Sequence, residues 1–160
     1  MYKSYKKFEN MSVCHRNYHA ANNTVRDSTK CSLIHGYTRS VELEFSSDEL
    51  DAQGWVYDFG NCKMFKQWFD ANYDHATLIS STDPLLAEIK EFASLGLLRV
   101  TVIEDVRGHN PGIEGSCKHL FDVFNKMLQD SGAKARISKV TVWEHDHNYA
   151  SYSYDYTQIA

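Results

Sequence analysis

The chain has 160 residues, 42% of them hydrophobic and 24% charged, with a formal net charge of −4 and an isoelectric point near 6.0. This composition fits one domain, residues 1–160, able to bury a core. It excludes a basic surface for nucleic acid; no apolar run reaches the roughly 20 residues that span a bilayer, and the start, Met1 to Lys7, lacks the apolar stretch of an export signal, so a cytoplasmic location is expected.

Met11, Val13 and His15 alternate onto one face of a short candidate strand, with Cys14 pointing the other way. The polar segment Asn17 to Thr29 reads as a loop longer than most connections, which makes it a functional candidate. Next, Lys30-Cys31-Ser32-Leu33-Ile34-His35-Gly36-Tyr37 puts a thiol, an imidazole and a phenol ahead of an alternating run, Thr38 to Phe45. A strand there places His35, Tyr37, Arg39, Val41, Leu43 and Phe45 on one face. Histidines converging from two strands, with a cysteine beside them, are a common basis for a metal-assisted site. Arg16, Lys30 and Arg39 are isolated cations suited to a small anion.

Asp48 to Gln53 reads as a turn between two strands. From Asn61, the residues Met64, Phe65, Trp68 and Phe69 recur at the spacing of one helix face. Asp83-Pro84 opens a shorter helix with Leu85, Leu86, Ile89 and Phe92 as its stripe. Leu98 to Ile103 reads as a strand, and Glu114 to Leu128 as a helix with Cys117, Leu120, Phe121, Phe124 and Leu128 on one side. Ser138 to Glu144 alternates again, placing Val140, Val142 and Glu144 together. The order strand, strand, strand, helices, strand, helix, strand points to an α+β sheet with helices packed on one face. The tyrosine-rich tail, Tyr149 to Tyr156, reads either as an edge strand pairing with a neighbouring subunit or as a loose terminus. The cysteines Cys14, Cys31, Cys62 and Cys117 form no Cys-x-x-Cys pair, which excludes a zinc ribbon or a redox motif. Cys14, Cys62 and Cys117 read as structural thiols, and Cys31 is set apart by its position before the histidine.

These landmarks, in this order, resemble the 6-pyruvoyl/6-carboxy-tetrahydropterin synthases, small zinc lyases acting on dihydroneopterin triphosphate. Cys14-His15-Arg16 stands where that family has Ala-His-Arg, and Cys31 to Tyr37 matches its Cys-x-x-x-His-Gly-His with Tyr37 as the one departure. Gly54-Trp55-Val56-Tyr57-Asp58-Phe59, Asp74-His75, Pro111-Gly112-Ile113-Glu114 and the strand ending Trp143-Glu144 follow, with Gly112 where the family usually has Thr. The resemblance implies the tunnelling fold: a four-stranded antiparallel sheet with helices on one face, joined edge to edge between subunits into a barrel. It implies a homo-oligomer, a hexamer favoured, with active sites between subunits.

The resemblance also implies zinc held by three side chains. His15 and His35 carry over, Tyr37 stands in the third place, and His19 and His145 are the alternatives. Cys31 matches the catalytic thiol and Asp74-His75 the proton-transferring dyad. Glu144 matches the carboxylate that grips the amino-pyrimidine edge of the pterin. Glu114 is either a second anchor or a charge at the positive end of its helix. Asp58-Phe59 reads as structural, the carboxylate tying a turn and the ring filling core. The implied activity is conversion of 7,8-dihydroneopterin triphosphate to 6-carboxy-5,6,7,8-tetrahydropterin on the route to deazaguanines such as queuosine, with no nucleic-acid or membrane partner. The alternatives are the 6-pyruvoyl product, or a non-catalytic pterin- or purine-binding protein with a decayed metal site.

Overall fold

The computed structural model describes residues 1–20 and 30–154. A long first strand, β1 (Tyr2–His15), pairs antiparallel with β2 (His35–Ser47), so that Tyr2 faces Ser47 and His15 faces His35. The register shifts between Phe8 and Met11, where Asn10 takes a left-handed φ of 62°. This bulge keeps Phe8, Met11, Val13 and His15 all facing inward. An unbroken two-residue period would have put Phe8 and Met11 on opposite faces.

After β2 the chain makes a turn tied by Asp51, whose Oδ1 accepts from the amides of Gln53 and Trp55. The expected strand following this turn does not form. Gly54 to Asp58 is irregular and leads through a short 3-10 helix (Phe59–Cys62) into α1 (Lys63–Asn72). The third strand is instead β3 (Ala76–Ser80), followed by α2 (Leu86–Ser94), β4 (Val100–Ile103), α3 (Ile113–Asp130), β5 (Arg136–Glu144) and β6 (Asn148–Ser153).

The α+β class stands, but the sheet is larger than expected. Its six strands run in the order β4-β3-β1-β2-β5-β6. The β1, β2, β5 and β6 strands form an antiparallel run, and β3 and β4 extend it in parallel beyond β1. The expected four-stranded sheet is thus the antiparallel part of a mixed one. Every residue of β3 is buried, as suits a strand covered on both faces. The tail from Asn148 to Ser153 is an edge strand, and its partner is β5 of the same chain; residues 155–160 lie outside the described residues.

The core forms between the inward face of the sheet (Val41, Leu43, Phe45, Val140, Val142) and the apolar faces of α1 (Phe65, Phe69) and α3 (Leu120, Phe121, Phe124, Leu128). Edge-to-face contacts of Phe69 and Trp68 with Phe124 lock the two helices together. The stripe expected to bury α2 does so only at Ile89, whereas Leu85 and Phe92 remain exposed. Phe59 is also largely exposed rather than core, although Asp58 does tie its turn by accepting from the Gly60 amide at 2.7 Å. Among the described residues, no helix is long and apolar enough to cross a membrane.

Candidate metal and catalytic site

The antiparallel pairing that ends β1 against the start of β2 brings His15 and His35 together as direct cross-strand partners. Their rings meet edge to face with centroids 4.5 Å apart. Glu144, the last residue of β5, points to the same place: one ligand atom from each of His15, His35 and Glu144 lies within 4.8 Å of the others. His35 Nδ1 donates to the Leu33 carbonyl at 2.7 Å. This fixes the tautomer that leaves Nε2 with a free lone pair, an arrangement typical of metal-ligating histidines.

Tyr37 and Arg39 follow His35 on the inward face of β2. The Tyr37 hydroxyl lies 2.9 Å from His15 Nδ1, and Arg39 Nη2 donates to that hydroxyl at 2.5 Å and approaches the same nitrogen at 3.1 Å. Arg39 is 0% exposed. Its Nη1 donates to Ser116 Oγ at 3.0 Å and its Nη2 to the Pro111 carbonyl at 3.3 Å, and the guanidinium lies over the rings of Tyr37 and Tyr73. Burial, with the Arg39 and His35 charges beside it, pushes the His15 imidazolium down to about 3, so this ring is neutral near neutral pH. Burial pushes the Tyr37 phenol up to about 12 against the pull of Arg39, so the hydroxyl keeps its proton.

Imidazole nitrogens and a carboxylate form a donor set that zinc accepts. One imidazole is already oriented by a backbone carbonyl, and the residues present fit such an ion. The sequence missed the part played by Arg39 and its helix partner Ser116. The signal was a charged residue on the same face as Val41, Leu43 and Phe45, where only a paired or hydrogen-bonded charge is tolerated.

The other anticipated residues are more dispersed. Cys31 is exposed in a short 3-10 turn, Lys30–Ser32, whose carbonyl accepts from the Asn17 amide; it lies just before the histidine strand. His19 is drawn away to Asp105, at 2.7 Å, in a cluster with Ser80 and Thr82. His145 follows Glu144 with a φ of 59° and lies against the Tyr37 ring. Glu114 is exposed in the first turn of α3. Asp74 and His75 form a turn before β3, with Asp74 Oδ2 3.1 Å from His75 Nδ1. Burial alone would raise the Asp74 pKa, but the Ser12 amide and His75 hold it below the usual carboxylate range. The His75 side chain is 79% exposed. It sits beside Ser12, which places it about 10 Å from His15 along β1. One chain therefore does not bring the dyad to the histidine cluster.

A cavity of about 560 Å³ opens at the far end of the sheet, between Tyr2 and the turn carrying Trp55, Tyr57 and Phe59. It is remote from the histidines and has no part in the site.

Residues 5–155 match the profile of the family described as 6-pyruvoyl tetrahydropterin synthase. The chain belongs to this family. Among curated relatives, the 6-carboxy-5,6,7,8-tetrahydropterin synthase of Aquifex aeolicus is 29% identical over 126 residues, covering 77% of this chain and 75% of the relative. The enzyme of the same name from Rickettsia typhi is 31% identical over 116 residues, covering 71% of this chain and 79% of its own. The 6-pyruvoyl tetrahydropterin synthase of Caenorhabditis elegans shares the fold, with a TM-score of 0.61 at 17% identity over 97% of this chain and 98% of that one. Membership of the 6-pyruvoyl tetrahydropterin synthase family and the named relatives support a pterin lyase.

Proposed function

We propose that the protein is a zinc-dependent lyase that converts 7,8-dihydroneopterin triphosphate and water to 6-carboxy-5,6,7,8-tetrahydropterin, acetaldehyde and triphosphate, on a route to deazaguanines. The observation that carries this reading is the convergence of His15, His35 and Glu144 at one end of the sheet, in a chain whose relatives bear that enzyme's name. His15 and His35 would hold the ion. When bound, zinc supplies Lewis acidity toward the side-chain hydroxyls of the substrate and so acidifies neighbouring C–H bonds.

The chain's own groups supply the proton transfers. The Cys31 thiol, exposed on the turn before His35, is the base for a carbon-bound proton. In the dyad, His75 Nδ1 donates to the Asp74 carboxylate, which leaves Nε2 to exchange protons with the substrate. A carboxylate must take the paired N–H donors of the amino-pyrimidine edge. Glu114, exposed in the first turn of α3, and Glu144 are the two candidates.

The separation of His75 from His15 supports a site completed between subunits of a homo-oligomer, a hexamer favoured. A neighbouring copy would present its dyad to this chain's histidines. The edges of β4 and β6, unpaired among the described residues, supply a motive for association, since unpaired sheet edges are removed by joining.

Incubation with 7,8-dihydroneopterin triphosphate followed by mass analysis tests the reading. A 6-carboxy product with acetaldehyde released supports it. A product retaining the three-carbon side chain identifies a 6-pyruvoyl synthase instead, and unchanged substrate contradicts both.

A further inference from the structure

Tyr37 departs from the three-histidine pattern, and the geometry around it points to a different ligand set. We infer that Glu144 is the third ligand of a His15, His35 and Glu144 metal triad, and that Tyr37 is a positioning residue which holds His15 through Nδ1 so that Nε2 faces the ion. This rests on the reading of the histidine cluster as a metal site.

The Tyr37 hydroxyl and the Arg39 guanidinium both lie on the Nδ1 side of the His15 ring, at 2.9 and 3.1 Å. A guanidinium only donates hydrogen bonds and carries a permanent positive charge. A metal ion therefore has no place on that side, and His15 must present Nε2. The Tyr37 oxygen, committed to the opposite nitrogen, does not share that ion's coordination sphere.

A free lone pair on Nε2 requires a proton on Nδ1 and an acceptor for it. The Tyr37 oxygen is that acceptor; Arg39 Nη2 spends its two hydrogens on the Tyr37 oxygen and the Pro111 carbonyl and directs none to Nδ1. The network thus runs from Arg39 through Tyr37 to His15, placing the hydroxyl behind one ligand as an outer support.

Arg39 is fully buried, and among the described residues it forms no ion pair with a carboxylate. A dication held by neutral ligands alone would sit beside that buried cation in a medium that screens poorly. Glu144, the cross-strand partner of Arg39, removes one unit of positive charge when it serves as a ligand. Its ligand atom already lies within 4.8 Å of those of both histidines, and tetrahedral zinc needs about 3.4 Å between ligand atoms, a gap that side-chain rotation closes. With Glu144 on the metal, Glu114 becomes the anchor for the pterin edge.

The test uses full-length protein stripped of metal and reloaded with cobalt(II), zinc or copper(II). Wild type, Glu144→Gln, Glu144→Asp, Tyr37→Phe and His35→Ala are compared, with circular dichroism melts confirming that each is folded. The inference predicts about one cobalt per chain in wild type, at least a 100-fold weaker affinity in Glu144→Gln, and partial recovery in Glu144→Asp. Tyr37→Phe should keep the stoichiometry and the cobalt spectrum with affinity reduced about 10-fold, in the range of lost outer-shell partners. Nitrogen NMR of the zinc form should show His15 protonated at Nδ1 in wild type, with that proton shifted and exchanging faster in Tyr37→Phe, where its acceptor is gone. Unchanged affinity in Glu144→Gln, or a copper phenolate charge-transfer band that vanishes in Tyr37→Phe, would overturn the inference while leaving the metal site standing. Absence of binding in wild type, matching His35→Ala, would overturn both the inference and the metal-site reading.

Discussion

At Arg39 a cation is enclosed by two tyrosine rings, a serine hydroxyl and a backbone carbonyl, and its removal would leave the Ser116 hydroxyl and the Pro111 carbonyl with the bond they make to each other at 3.3 Å. Arg39→Met keeps most of the volume and should lower stability by about 1–2 kcal/mol through the lost guanidinium hydrogen bonds, read as a shift in the urea midpoint. At Asp74 one carboxylate oxygen accepts from the Ser12 amide and the other lies against His75, which the proposed mechanism has it orient. Asp74→Asn should therefore cost about 100-fold or more in turnover while zinc content stays at the wild-type level; an equal loss of zinc would place the dyad in the metal site instead. His15, His35 and Glu144 could be read as facing one side of their strands, because a two-residue period needs nothing but the order of residues. The identity of their partners could not, because the arrangement of Tyr37 and Arg39 around His15 Nδ1 depends on the pairing of β1 with β2. The same limit separated His19 from the site: its spacing from His15 made it a candidate ligand, and its contact with Asp105, from a strand end far along the chain, withdraws it.

Among the elements, those with one buried face were legible and those covered on both faces, or on neither, were not. The α1 and α3 stripes follow the helical period and are found in the core. The β3 strand, Ala-Thr-Leu-Ile-Ser, has no alternation to detect because β1 and β4 flank it and both faces are covered. The α2 stripe was detected, yet most of it is exposed in the chain. Close approach also sets the entry to α3: a Cβ on Gly115 would come within 2.5 Å of the Asn110 backbone nitrogen. Gly115→Ala should destabilise the fold by about 1–3 kcal/mol and disturb the Pro111 carbonyl that holds Arg39, measured by thermal melts alongside zinc affinity. Further along α3, burial pushes His119 down to about 4, with His109 adding to the effect and Asp122 opposing it. The unfolded chain takes up this proton near pH 6.5, so the contribution of neutral His119 is complete above that pH. It is lost as pH falls toward 4, and below 4 it changes no further. The loss amounts to about 3 kcal/mol at most. His119→Gln should flatten the decline in urea stability between pH 6.5 and 4, and an unchanged slope would show that His119 does not drive it.

On the scale of the whole molecule, the sheet separates what the chemistry needs together. The histidines sit where β1 ends, and the dyad sits where β3 begins, beside Ser12. The proposed assembly resolves this by letting one copy serve its neighbour. Mixed oligomers of His35→Ala and His75→Ala chains, each inactive alone, should then regain a fraction of wild-type turnover after co-refolding, whereas a site contained in one chain would stay silent in every mixture. The sheet class and the landmark order were open to reading from the sequence because they follow the chain. The parallel addition of β3 and β4 was not, since it depends on which edge of β1 remains free after β2 has paired. The most direct measurement is a zinc titration of metal-free protein in the presence of 7,8-dihydroneopterin triphosphate, following acetaldehyde release and the 6-carboxy product together. The account predicts turnover that rises from near zero and levels off at about one zinc per chain, with His35→Ala flat throughout. Full turnover without metal, or none at saturating zinc, would contradict it.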